Sequence, residues 1–252
     1  ATFAQRVIQT QKAGAMLGIT LKDVVAGYEG LIKSSRTAGM LMAHNNKRGQ
    51  LQVDLLAQSA IRFKKAGLET ETYGQAIDVL GKTYRRSNIV TESRALGAEF
   101  VNIARATGQL PDKVGRDFAS AMNTLSAYTL PQAKDIFKKL SATVASTGIE
   151  MDKLLSVAGK FDAMEGAADI VGELNAMMGG PYLNTLDMVN ATEEERIEIL
   201  KNAMDQTGQN FNQMDRFMQK AIAEQLGTDV QTASRMFSAP QGEVDKLTKK
   251  ID

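Results

Sequence analysis

TLPQAKDIFKKLSATVASTG, residues 129–148, is a helix written from start to stop. Thr129 stands three residues ahead of Gln132, so hydroxyl and amide can each satisfy a backbone N–H that a first helical turn leaves without a partner. Ala133, Ile136, Phe137, Leu140 and Val144 then recur at the 3.6-residue period, which gathers them on one face. Gly148 follows where a left-handed residue closes a helix at least cost.

The same grammar repeats outward along the chain. Val114, Phe118, Ala121, Met122 and Leu125 form a second apolar stripe, and Met214, Phe217, Met218, Ala221 and Ile222 a third. Thr20 with Asp23, Thr72 with Gln75, and Asn190 with Glu193 repeat the cap spacing. Gly18, Gly67, Gly108, Gly208 and Gly227 repeat the stop. TGQLPDKVGRDF (107–118), TGIEMDKLLSVA (147–158) and LGTDVQTASRMF (226–237) share one turn device: a Gly, an apolar anchor with a cap, then a new amphipathic helix. These stops are unevenly spaced, so they mark a recurrent turn and not a solenoid of fixed period. Pro111, Pro131, Pro181 and Pro240 break the chain further. The expectation is an all-α fold with no sheet, built of multiple short amphipathic helices joined by Gly, Asn and Pro turns. Such helices are marginal alone, so they are expected to pack on one another and not to form a rod.

Composition supports a packed core: of 252 residues 43% are hydrophobic, with no Cys, no Trp and a single His. The net charge of +1 hides an asymmetry. Between Lys33 and Arg86 ten basic residues face four acidic ones; between Glu150 and Asp229 fifteen acidic residues face six basic ones. Residues 1–109 therefore read as a basic helical region, 110–160 as a helical connector and 161–252 as an acidic helical domain. This asymmetry suits either solvated helix faces or head-to-tail docking of copies. No stretch is long and apolar enough to span a bilayer; the charge-free run from Phe118 to Ala133 is broken by Asn123, Thr124, Ser126, Thr129 and Pro131. A chain opening on Ala without a signal-like start reads as a processed product or an excised segment.

Chemistry-bearing constellations are scarce, and no enzyme is expected. His44, in AHNNKRG, has no partner at ligand spacing and reads as a surface residue. Glu92–Ser93 is the only transglycosylase-like acid, without the aromatic residues such enzymes use, and reads better as the start of a helix. Glu193, Glu194 and Glu195 point around a helix instead of converging on a cation, and read as an acidic first turn matching the helix dipole. No cofactor fingerprint is present. KAIAEQLGTDVQTASRMF (220–237) resembles a helix-turn-helix, with Gln231, Thr232, Ser234 and Arg235 where bases would be read. From Gln213 to Phe237, however, three basic residues are balanced by three acidic ones, so phosphate attraction is weak and no specific nucleic acid is expected. The Met177-Met178-Gly179-Gly180-Pro181-Tyr182 loop ends one helix sharply. Met177, Met178, Tyr182 and Leu183 make it either a partner-docking knob or a buried corner.

GELNAMMGGPYLNTLDMVNATEEERIEIL (172–200) and the Gly227 to Ala233 segment resemble the C-terminal parts of tail tape measure proteins, or related internal virion proteins, of tailed bacteriophages. That resemblance spans residues 161–237. It implies a structural protein of the tail-tube lumen or baseplate that passes through the host cytoplasm during assembly. It also implies that the protein helps set tail length, bundles with copies of itself, touches tail-tube and baseplate hub proteins, and leaves ahead of the genome. A DNA-binding regulator using 214–237, or a helical adaptor or scaffold, are the alternatives.

Overall fold

The computed structural model describes residues 3–14, 19–43, 47–84 and 88–251. His44, Gly18, Arg85 and Arg86 lie outside them. The described chain is all-α: fifteen α-helices and two single 3-10 turns, with no strand among the described residues. It forms two compact units, residues 1–126 and 127–252. The division falls inside the stretch read as a connector, because its first helix packs within the first unit and its next two within the second.

The first unit holds α1 (Phe3–Gly14), α2 (Leu21–Ser34), α3 (Arg36–Ala43), α4 (Lys47–Lys65), α5 (Thr70–Tyr84), α6 (Ile89–Thr107) and α7 (Pro111–Leu125). α2 packs on α4 and α5, α4 on α6, and α7 on both α5 and α6. The stripe of Val114, Phe118, Ala121, Met122 and Leu125 is buried as its period requires. Phe100 and Phe118 meet with ring centroids 5.2 Å apart. Gly115 lets α7 approach α5 closely: a Cβ there would lie 2.7 Å from Thr72 Cγ2 and 3.0 Å from Leu68 Cδ1. Thr72 is therefore a buried packing residue inside α5, not a cap. That helix begins two residues earlier, where Asp112 accepts from the Glu69 N–H at 3.1 Å.

α3 has its start completed from a distant helix. Asp78 on α5 accepts from the N–H of Arg36 (2.9 Å) and of Thr37 (2.8 Å) and from the Ser35 hydroxyl (2.8 Å). Burial acts to raise the Asp78 carboxyl, but these bonds outweigh it and hold the group below its ordinary value.

The second unit holds α8 (Leu130–Thr147), α9 (Met151–Ala158), α10 (Met164–Met178), α11 (Thr185–Asn190), α12 (Glu193–Gln206), α13 (Arg216–Gln225), α14 (Val230–Ser238) and α15 (Gln241–Ile251). α8 is its centre, touching α9, α12, α14 and α15. Ala133, Ile136, Phe137, Leu140 and Val144 are all buried, and Thr129 with Gln132 forms the expected capping box. So does Thr20 with Asp23 in the first unit. Gly67, Gly108, Gly148, Gly208 and Gly227 all have positive φ, as left-handed stops require, and Gly179 joins them.

Two local readings are corrected in this unit. The box starting α12 is Thr192 with Glu195, not Asn190 with Glu193: Asn190 is the last residue of α11 and leaves no room for a cap there. The third stripe is only partly a core face. Met214 precedes α13 in an extended conformation, Ile222 is buried, and Phe217 is 88% exposed.

Candidate functional site

Within the second unit, α10 to α12 carry the segment that sequence singles out, and its polar residues hold the helices in place. Asn175, near the end of α10, donates to the Leu183 carbonyl and accepts from the Leu183 N–H, both at 2.8 Å. This two-way clamp fixes the Gly179–Asn184 loop. Asn184 then caps α11, accepting from the N–H of Leu186 (2.8 Å) and Asp187 (3.2 Å). Met178 and Leu183 are buried, and Met177 and Tyr182 are half-buried. Of the four residues proposed as a docking knob, two thus face inward and two remain partly accessible.

Arg196, 5% exposed, is the polar centre of the unit. Its guanidinium donates to the carbonyls of Met188 (2.8 Å), Val189 (3.2 Å) and Ala158 (3.0 Å), and to the Asp162 carboxylate at 2.5 Å. Those carbonyls belong to the last turns of α11 and α9, where helices leave acceptors without intrahelical donors. One planar cation therefore closes two helix ends at once, a task its fork of donors suits.

The acidic run at 193–195 forms the first turn of α12, as its position ahead of the helix suggests, and two of its carboxylates are buried there. Glu193 and Glu194 are buried, while Glu195 closes the capping box. Glu194 accepts from Lys139 at 2.9 Å and from the Thr192 hydroxyl at 2.5 Å. Burial acts to depress Lys139, but its bonds to Glu194 and Asp135 outweigh that and hold the ammonium above its ordinary value. Burial pushes the Tyr128 phenol up to about 12, helped by the negative charge of Glu193 beside it. Among the described residues no group of three or more His, Asp or Glu side chains is placed to hold a metal.

α13 and α14 form a helix-turn-helix in outline. Gly227 has φ of 67°, and the Thr228 N–H returns to the Ala223 carbonyl at 2.9 Å. The residues that would read bases are largely committed elsewhere. Thr232 is buried and bonded to Asp229 at 2.7 and 2.8 Å, and Ser234 donates to Asn212 at 2.6 Å. Arg235 reaches the Gly148 carbonyl at 3.4 Å. Gln231 is exposed. Asp229 caps α14 and pairs with Lys153 at 3.0 Å. The Thr232 hydroxyl and N–H and the Lys153 ammonium hold its carboxyl well below the usual range. A fixed anion thus stands where a recognition helix would meet phosphate.

In the first unit Glu92 is half-buried in the first turn of α6, where a negative charge suits the helix dipole, and Ser93 is buried. Among the described residues no helix is long and apolar enough to cross a membrane. No family model, curated protein or solved structure matches this chain.

Proposed function

We propose that this chain is a non-catalytic structural component of a bacteriophage tail, of the tape measure type, working through contacts with copies of itself and with tail-tube and baseplate hub proteins. The observation that supports this most is the residue 172–200 segment itself. It resembles such proteins, and its Asn175, Asn184, Thr192, Glu195 and Arg196 are all engaged in clamping or capping helices. A sequence whose marked polar residues build architecture is what a structural role needs. The exposed Phe217 and the half-buried Met177 and Tyr182 offer apolar surface for partners. The regulator reading is less favoured, because Thr232 and Ser234 are bonded internally and Asp229 fronts the helix that would enter DNA.

Cross-linking mass spectrometry on purified tails of the phage encoding the chain tests this. Cross-links from lysines of this chain, Lys220 among them, to tail-tube or hub proteins are expected. Particles that contain no peptide of this chain would overturn the proposal.

A further inference from the structure

α10 turns outward a face made of carboxylates and small residues. Glu165, Asp169 and Glu173 recur every four residues, Ala168, Gly172 and Ala176 run beside them at the same spacing, and all six are exposed. The helix contains no Lys or Arg. Among the described residues Glu165 and Asp169 have no ion-pair partner, and Glu173 meets the neutral amide of Gln225. Like charges four residues apart on a helix repel, so this row is at a disadvantage until something positive covers it.

α4 and α6 turn the opposite charge outward. A groove of about 380 Å³ between them is lined by Arg62 and Phe63 of α4 and by Thr91, Arg94, Ala95 and Ala98 of α6, with no acidic residue along it. Arg62 and Arg94 are exposed, and among the described residues neither has an ion-pair partner. Arg105 continues the same exposed face of α6, while Glu92 and Glu99 are half-buried to one side of it. Phe63 lies against Gly97, where a Cβ would collide with its ring, so the groove has an apolar base. Ala95 and Ala98 keep its α6 wall low, as Ala168, Gly172 and Ala176 keep α10 slim, and side chains of that size let helices approach closely.

We propose that α10 of one copy docks on the α4–α6 groove of a second copy, its Glu165, Asp169 and Glu173 carboxylates pairing with Arg62, Arg94 and Arg105 and its small-residue edge lying on Ala95 and Ala98. The carboxylates span about 12 Å along α10, and Arg94 and Arg105 about 16 Å along α6, so the two rows match in reach. The two patches differ, so each docked copy still offers one free groove or one free α10. Copies therefore add head to tail, into a ring where the rotation closes and a filament where it does not. This contact deepens the self-association part of the proposed function and rests on that part alone. It forms without any phage particle, so its failure and the failure of the tail reading are separate results.

Sedimentation velocity on the purified chain, from micromolar concentration upward at low salt, is the test. Copies should associate as concentration rises and separate at about 0.5 M salt, where surface charges are screened. Arg62→Gln/Arg94→Gln and Glu165→Gln/Asp169→Asn/Glu173→Gln alter exposed residues, so each variant should stay folded and lose association affinity about fivefold to tenfold. Mixed together, the two variants should recover the parental affinity and stop at a 1:1 dimer, because they share one intact groove and one intact α10. Should a variant misfold by circular dichroism, the salt response of the unaltered chain decides. A parent that stays monomeric at low salt or associates equally at high salt, variants that associate as the parent does, or a mixture no tighter than either variant alone would overturn the proposal.

Discussion

Replacing Arg196 with Met should destabilise the second unit by about 3–5 kcal/mol. The side chain is nearly fully buried and holds three carbonyls and one carboxylate. Met188 and Ala158 are buried, and each buried acceptor stripped of its donor costs about 1–3 kcal/mol. Val189 is half-buried, and Asp162 has a side chain 61% exposed, so water replaces much of what they lose. Met recovers some apolar burial, which trims the sum. Arg196→Lys should cost nearly as much, because a single ammonium cannot bridge the ends of α9 and α11 together. Asp162→Asn should cost under about 1 kcal/mol, since that carboxylate faces solvent. Urea unfolding, with amide exchange of α11 and α12 read by mass spectrometry, separates these outcomes. If Arg196→Met stays within about 1 kcal/mol of the parent, or Asp162→Asn costs as much as it does, then Arg196 is not the tie that joins these helix ends.

Other perturbations address the remaining elements. Asp78→Asn should destabilise the first unit by about 1–2 kcal/mol, measured by urea titration, because α3 loses a charged acceptor for three donors. The Asp78 carboxyl is depressed in the folded state, so its stabilisation is complete above the unfolded value near 3.9 and is lost as pH falls through the lower folded value. The variant should therefore flatten the acid limb of a stability–pH curve. Gly115→Ala should destabilise by about 1–3 kcal/mol through its clash with Thr72, while Gly172→Ala, on α10 with open space around it, should stabilise by about 0.5–1 kcal/mol in the same assay. Phe217→Ser should leave stability within about 0.5 kcal/mol but weaken association of copies in analytical ultracentrifugation, and unchanged association would remove Phe217 from the contact surface.

Helices whose information is local were legible in the sequence. The stripes of α7 and α8 fall on one face, and their burial follows from periodicity alone. The Gly stops follow from the cost of left-handed backbone for other residues. What escaped reading comes from distant chain. Asp78 completes a helix start 41 to 43 residues away, which no cap motif encodes. Thr72 has cap chemistry and cap spacing, but α7 covers it. Asn190 with Glu193 has the cap spacing, but α11 runs through Asn190, and the box forms two residues later at Thr192. The first-turn position of Glu193 and Glu194 was legible, but their burial was not, because the elements that cover α12 come from elsewhere in the chain. Phe217 shows the converse, since a period identifies a helix but cannot supply the neighbour that would cover its face.

Cryo-electron microscopy of tails carrying a small tag fused to this chain tests the central claim most directly. The tail reading predicts tag-dependent density inside the tube lumen or at the baseplate hub, lost from particles that have released their genome. Tag density on the outside of the particle, or none in intact tails, would contradict it.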